Sequence, residues 1–159
     1  MQCMGDISKW GRKYNMIIQP TSNDYETLLN IWENSVRATH DFLREEDLQF
    51  YKPLILNEYF HQVKLFCHKD SNLKITGFMG IANGNLEMLF INPASRGIGI
   101  GKELLIYAIE HENVKLVDVN EQNSQAVGFY KHMGFQVVNR SEFDGAGKPY
   151  PILHMELKF

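Results

Sequence analysis

Cysteine, long apolar runs and blocks of positive charge are all scarce in this sequence. Its two cysteines, Cys3 and Cys67, match no disulfide framework and no zinc-ligand spacing. No apolar run approaches the ~18 residues that span a membrane, and a net charge of −3 without a Lys or Arg block argues against a broad nucleic-acid-binding face. The composition therefore predicts a soluble, cytoplasmic protein with no metal, no nucleic-acid partner and no membrane contact. It leaves a small molecule or a peptide as the partner.

The chain length of 159 residues suits a single domain that buries roughly 70% of its unfolded surface. Residues 1–15 lack the charged, apolar and cleavage regions of a secretory signal, and the first strand-like residues are Ile17 and Ile18. We therefore expect residues 1–15 to form an extension outside the core and residues 16–159 to form one domain. The composition is compatible with either a monomer or a homodimer.

Apolar periodicity predicts a mixed order of strands and helices. The predicted strands are 17–18, 64–68, 74–82, 86–91, 116–119, 135–138 and 152–157, and the predicted helices are 23–39, 44–58 with a break near Pro53, one from about 99 and one from about 124 to Gly134. Polar segments at 70–72 and 83–85 are typical of hairpin turns, so the strands they join form an antiparallel meander. The pattern predicts an α/β (α+β) fold in which a mixed, largely antiparallel central sheet is flanked by helices.

The segment from Arg96 to Lys102 has the composition of a phosphate-binding turn. It joins an apolar strand to an amphipathic helix, whose start leaves N–H groups unpaired and carries partial positive charge, and Arg96 adds a cation. A Walker loop is excluded, because Arg96 stands where it needs glycine and Glu103 where it needs Ser or Thr. A dinucleotide-binding fingerprint fails at Lys102, although Asp118 fits its ribose-binding acid, so it stays as an alternative.

Two patterns, in order along the chain, resemble the signature of the GNAT superfamily of N-acetyltransferases. They are Arg96-x-x-Gly99-x-Gly101 and, one strand later, Asn123-x-x-Ala126-x-x-x-Tyr130-x-x-x-Gly134-Phe135. Residues 38–43 and 147–151 also resemble stretches of small bacterial members of this family. The resemblance implies a GNAT-like fold and transfer of an acetyl group from acetyl-CoA to a primary amine of a small molecule or peptide.

Direct transfer within a ternary complex is expected, because no cysteine stands among the matched residues to form an acetyl-enzyme. Two alternatives stay open. One is a coenzyme A-binding regulatory domain without turnover. The other is a dinucleotide-binding oxidoreductase, against which the three antiparallel strands before the glycine turn argue.

The resemblance also implies which residues bind the cofactor. The backbone of Leu89, Phe90 and Ile91 would pair with the pantetheine arm. The turn and helix start would hold the phosphates, and they comprise Arg96, Gly97, Ile98, Gly99, Ile100, Gly101 and Lys102. Asn123 would bind pantetheine or the substrate during catalysis, although an asparagine that caps the following helix explains it equally well.

Two further catalytic side chains are predicted. Tyr130, a phenol with a reference pKa of ~10, can protonate the departing thiolate while it stays neutral in an apolar cleft; simple packing in the core is the alternative. Glu87 is the predicted base, because strict alternation places this carboxylate on the same strand face as Leu89 and Ile91. A solvated glutamate at the sheet surface is the alternative for Glu87.

His40, Asp41, Lys148 and Tyr150 are predicted on the acceptor side. His40 and Asp41 lie in the loop between the first two helices, which commonly borders the acceptor site in the GNAT family, and histidine titrates near neutral pH. A loop hydrogen bond or helix cap is the simpler explanation of this pair. Lys148 and Tyr150 lie beside prolines that would form a rigid lip, and a plain turn explains them as well. The histidines have no metal-ligand spacing, so no metal is predicted.

Overall fold

The structure is a computed structural model that describes residues 16–158. The strands are β1 (Ile17–Ile18), β2 (Lys64–Lys69), β3 (Ile75–Ala82), β4 (Asn85–Ile91), β5 (Leu116–Asn120), β6 (Phe135–Ser141) and β7 (Ile152–Leu157). The longer helices are α1 (Tyr25–Thr39), α2 (Glu45–Leu54), α3 (Ile100–His111) and α4 (Ser124–His132). The predicted extension, residues 1–15, lies outside the described residues, as does Phe159, so the predicted domain boundary stays a prediction.

Helix α1, predicted over 23–39, begins at Tyr25 after the 3₁₀ turn Ser22–Asp24 and packs along one apolar face. The backbone N–H of Thr21 donates to Asp24 Oδ2 at 2.9 Å, within a capping box that precedes the helix. Leu28, Trp32 and Val36 recur at helical spacing, and all three are buried in one apolar cluster. One face of α1 is therefore fixed against the sheet.

The second helix changes its hydrogen-bond pattern at Pro53, as predicted. Helix α2 ends at Leu54, and the π-helical turn Ile55–Tyr59 follows it directly. Proline has no N–H group and its ring crowds the preceding turn, which disfavours regular α-helical pairing here. The change of pitch brings Tyr51 and Tyr59 to the wall of the same cavity.

The seven strands of the described residues form one sheet, in the order β1-β2-β3-β4-β5-β7-β6. Neighbouring strands are antiparallel except β4 and β5, which are parallel and joined by only two residue pairs, Asn85 with Leu116 and Leu86 with Val117. The mixed, largely antiparallel sheet that the sequence predicts is thus confirmed. Within residues 16–158, one edge of β4 has no partner strand from Glu87 onward.

A β-bulge changes the face on which Glu87 lies. The pairing of β3 with β4 shifts register at residues 80–81, so Glu87 opposes no residue of β3. The prediction that Glu87 shares a face with Leu89 and Ile91 is therefore wrong. Those two side chains pack on the α3 side of the sheet, whereas Glu87 lines a cavity with Met88 on the α1–α2 side.

Apolar side chains form one cluster on each face of the sheet. The cluster under α3 and α4 includes Leu104 and Phe135, and the cluster under α1 and α2 includes Leu28, Phe60 and Phe78. Each of these five side chains is at most 1% exposed. The sheet is held between two helical layers, which fixes the position of β4 from both sides.

Replacement of Gly77 by alanine tests the close packing behind β4. A Cβ at Gly77 would lie 2.7 Å from Ile91 Cδ1 and 3.1 Å from the Phe90 carbonyl oxygen. We expect Gly77→Ala to lower the free energy of unfolding by about 1–3 kcal/mol in chemical denaturation. Gly128→Ala is the matched control, since its Cβ meets no described atom within 4 Å and helical alanine is favoured by up to about 1 kcal/mol. Equal stability of the two variants would contradict this packing.

Candidate active site

A cavity of about 420 Å³, here called the first cavity, lies where the end of β4 meets the starts of α3 and α4. Its lining includes every predicted cofactor-binding residue except Ile98, whose side chain is 73% exposed. It also contains residues that the sequence did not point to, Ser35, Ser95, Gln125 and Phe129, together with Thr39 and Ala126 from the segments that resemble the GNAT family. The fold therefore brings the glycine turn, β4 and α4 together around one space.

The wall at the start of α3 is built from backbone. Gly97 and Gly99 have φ angles of 82° and 89°, in the left-handed region that favours glycine. A Cβ at either position would meet no described atom within 4 Å, so the backbone conformation, not crowding, requires glycine here. Gly99 is the N-cap of α3, so the unpaired N–H groups of the first helical turn open onto the first cavity.

The first cavity is cationic. Arg96 Nη2 donates to Gln125 Oε1 at 2.9 Å, which links the glycine turn to α4 and orients the guanidinium. Lys102 adds a second cation in the first turn of α3, and no Asp or Glu stands among the described lining residues. Two cations beside a helix N-terminus, with no carboxylate to neutralise them, fit a pyrophosphate.

Tyr130 and Asn123 reach the first cavity from α4. The Tyr130 ring is 6% exposed and lies 5.2 Å from Phe129 and 5.9 Å from Phe135, and burial raises the pKa of its phenol. Its hydroxyl bonds to no other residue within 16–158, so it is free to donate into the cavity. Asn123 Oδ1 accepts from the Ala126 N–H at 3.2 Å as a helix cap, which leaves the amide NH₂ available to a ligand.

A second cavity of about 220 Å³ lies on the α1–α2 side of the sheet and shares His40 and Phe90 with the first. Glu87 and Asp144 line it, and no Lys or Arg belongs to its described lining. A third cavity of about 460 Å³ shares the same two carboxylates. Two carboxylates among apolar and aromatic side chains, including Tyr59, attract a cationic group.

The segment between β6 and β7 is joined to α2 by two tyrosine–aspartate hydrogen bonds beside the second cavity. Tyr51 donates to Asp144, and Tyr150 donates to Asp47. The bond from Tyr150 holds the pKa of Asp47 below its usual value. Lys148 Nζ lies 3.1 Å from Asp47 Oδ1, so this predicted acceptor-side lysine is held outside the cavity lining, whereas Tyr150 belongs to it.

His40 stands at the junction of the two cavities. Its backbone N–H donates to the Val36 carbonyl at 2.7 Å, and its own carbonyl accepts from the Leu43 N–H at 3.0 Å. Its ring Nδ1 lies 2.7 Å from Thr39 Oγ1. Burial lowers the pKa of His40 to about 4, and the charge of Asp41 opposes this shift. Asp41 itself is exposed and belongs to neither cavity lining.

The chain matches known acetyltransferases along most of its length. A family model for the acetyltransferase (GNAT) domain matches residues 34–159. The chain belongs to the GNAT family. It is therefore an N-acetyltransferase that moves an acetyl group from acetyl-CoA to an amine, which sets aside the dinucleotide-binding oxidoreductase.

Relatives and solved structures agree with this assignment. The peptidyl-lysine N-acetyltransferase YjaB of Salmonella typhimurium is 42% identical over 130 residues, which cover 82% of this chain and 89% of that protein. The solution structure of apo-form YjaB from Escherichia coli matches with a TM-score of 0.79 at 39% identity, over 88% of this chain and 95% of that one. PaiA N-acetyltransferase from Thermoplasma acidophilum, crystallised with coenzyme A, shares the fold, with a TM-score of 0.69 at 21% identity over 90% of this chain and 98% of that one.

No helix within residues 16–158 combines the length and apolar character needed to cross a bilayer. The same residues hold no group of three or more His, Cys, Asp or Glu side chains arranged for a metal ion.

The partly buried imidazole of His40 predicts a loss of stability in acid. Its folded pKa of about 4 lies below the reference value of ~6.5, so between these values the unfolded chain binds more protons and stability falls as pH falls. We expect His40→Gln to remove this contribution, which has an upper limit of about 3 kcal/mol, from the pH dependence of the free energy of unfolding. His132→Ala, at an exposed histidine, is the control that should retain it. Parallel curves for wild type and His40→Gln between pH 6.5 and 4 would rule the shift out.

Proposed function

We propose that the first cavity binds acetyl-CoA and that the second cavity admits a lysine side chain of a peptide or protein. The observation that carries this proposal is the separation of charge between two joined spaces. The first cavity has Arg96 and Lys102 and no carboxylate, and the second has Glu87 and Asp144 and no Lys or Arg, among their described lining residues. A polyanionic cofactor and a cationic amine would each be drawn to one side.

The free edge of β4 supports the position of the pantetheine arm. A strand has two hydrogen-bonding edges, and β3 occupies one edge of β4 up to Ile91. The other edge loses its partner β5 after Leu86, so the main-chain groups of β4 that point to that edge beyond Leu86 are available to the amide groups of an extended ligand. In this proposal Asn123 adds its NH₂ group from the opposite side.

A lysine side chain fits the second cavity in shape and charge. The space is lined by Met88, Tyr51 and Tyr59, which suit a methylene chain, and by two carboxylates, which suit its ammonium group. The relatives YjaB and YiaC are named peptidyl-lysine N-acetyltransferases. These names support a peptide acceptor over a free small amine.

Acetyl transfer is proposed to be direct. Cys67, the one cysteine among the described residues, is buried and lines neither cavity, and burial raises the pKa of its thiol to about 11, so it is no nucleophile for an acetyl-enzyme. Tyr130 would donate its proton to the departing thiolate. Glu87 faces the acceptor side and stays the predicted base.

Tyr130→Phe tests the proton donor. The ring and its packing are kept while the hydroxyl is lost, so we expect kcat to fall by about 10²–10⁴-fold, the usual range for a general acid. The dissociation constant of acetyl-CoA, measured by calorimetry, should not change. Thiol release would be followed with a blocked peptide that contains one lysine, and the same peptide with norleucine is the blank. Unchanged kcat would mean that Tyr130 has a packing role and is not the proton donor.

Paired charge removals test the assignment of the two cavities. Arg96→Gln should weaken acetyl-CoA binding by about tenfold or more, because it removes a charge-assisted hydrogen bond to phosphate. Glu87→Gln should leave acetyl-CoA binding unchanged and raise KM for the lysine peptide roughly two- to fivefold, the range for one partly exposed ion pair. If Glu87 is also the base, the pH–rate profile of Glu87→Gln loses its acidic limb. If Arg96→Gln instead raised KM for the peptide and Glu87→Gln weakened acetyl-CoA binding, the two cavities would have the opposite roles.

A further inference from the structure

We infer that His40 is a catalytic residue: its Nε2 accepts a hydrogen bond from the acceptor amine and takes the proton that this nitrogen loses as the N–C bond forms. The inference rests on the proposed function, because it needs the thioester on one side of His40 and the amine on the other. His40 and Phe90 are shared by the linings of the first and second cavities. Of this pair, only His40 can accept a proton.

The hydrogen bonds of His40 fix which ring nitrogen is bare. Thr39 Oγ1 lies 2.8 Å from the carbonyl oxygen of Ser35, and a carbonyl cannot donate, so the Thr39 hydroxyl donates to it. The only hydroxyl proton of Thr39 is thereby used. The contact of 2.7 Å between Thr39 Oγ1 and His40 Nδ1 must then be a bond in which Nδ1–H donates. Nε2 therefore keeps its lone pair.

The imidazole is held in place before any substrate arrives. The His40 backbone is bonded on both sides, to Val36 and Leu43, and its ring centroid lies 5.0 Å from that of Phe42. The Phe42 ring is in turn 6.2 Å from Tyr150. Because the base is already oriented, the site needs little reorganisation when the amine attacks.

Burial keeps the His40 ring neutral between two cavities of opposite charge. Arg96 and Lys102 line the first cavity, and Glu87 and Asp144 line the second. Asp41, the residue after His40, is exposed. The hydroxyl groups of Tyr130, Tyr51, Tyr59 and Tyr150 complete the titratable set. Burial lowers the pKa of His40 to about 4, so the ring is unprotonated at neutral pH.

Because His40 is a weak base, it takes a proton from the amine nitrogen only as the N–C bond forms and that nitrogen becomes acidic. The ammonium group first loses one proton to solvent near Glu87, which leaves a neutral amine. Its lone pair then forms the N–C bond, which makes the nitrogen acidic, and His40 Nε2 takes the second proton. The C–S bond breaks with its electron pair on sulfur, and Tyr130 protonates the thiolate. The proton on His40 passes through solvent to regenerate Tyr130, so the step balances.

NMR of the free protein and the kinetics of His40 and Thr39 variants test this role. In the free protein, long-range ¹H–¹⁵N NMR of the imidazole should show Nδ1–H and a bare Nε2 for His40. Thr39→Val removes the acceptor that fixes this tautomer, so Nε2–H should become populated. His40→Ala should lower kcat with the lysine peptide by about 10²–10⁴-fold while the dissociation constant of acetyl-CoA stays within about twofold. Added imidazole should restore part of the lost kcat in proportion to its concentration.

Controls separate this role from a structural one. His132→Ala, at an exposed histidine on α4, should retain wild-type kcat and show no response to imidazole. His40→Gln keeps a hydrogen-bond acceptor but takes no proton, so its kcat should fall as far as that of His40→Ala. Wild-type kcat in His40→Gln, or an Nε2–H tautomer in the wild type, would overturn the inference. If acetyl-CoA does not bind the wild type, the proposed function fails instead, whereas binding and turnover without His40 dependence remove only the role of His40.

Discussion

The site depends on a parallel contact between β4 and β5 that is only two residue pairs long. The contact is reinforced at its closed end, where the Gly84 carbonyl accepts from the Lys115 and Leu116 N–H groups at 3.1 and 3.3 Å, and Asn85 Nδ2 donates to Asp118 Oδ2 at 3.1 Å. Beyond it the strands separate while both remain in one sheet through their other neighbours. A rigid sheet thus contains a free strand edge, which an ordinary sheet interior does not offer.

The elements that directly follow β4 and β5 line the gap where these two strands separate. The glycine turn after β4 supplies positive φ angles and the start of α3, and the helix after β5 supplies Asn123 and Tyr130. Because α3 and α4 both begin at this end of the sheet, their N-termini add positive charge on the same side as Arg96 and Lys102. The carboxylates Glu87 and Asp144 lie on the other side of β4, so one strand separates the two regions of opposite charge.

Local patterns predicted the parts of the site that lie close together in sequence. The residues from Arg96 to Lys102 and the cap at Asn123 depend on turn and helix-start chemistry, which a short segment carries by itself. Glu87 was placed on the wrong face because its position depends on a one-residue shift in the pairing of β4 with β3, and alternation within β4 contains no trace of that shift. Asp144 was missed for a similar reason. Its bond to Tyr51 joins residues 93 positions apart, and a carboxylate beside glycines is typical of an ordinary turn.

Burial gives Tyr130 and His40 complementary protonation states, and no charged side chain among residues 16–158 lies at hydrogen-bond distance from either ring. It raises the pKa of Tyr130 and lowers the pKa of His40, because a low-dielectric environment disfavours phenolate and imidazolium alike. At neutral pH the phenol therefore holds its proton and the imidazole lacks one, which is the starting state that an acid and a base need. Both groups are also uncharged in that state, so neither competes with Arg96 and Lys102 for the pyrophosphate or with Glu87 for the ammonium group. Arg96 and Lys102 can then serve binding, while the two neutral residues Tyr130 and His40 serve proton transfer.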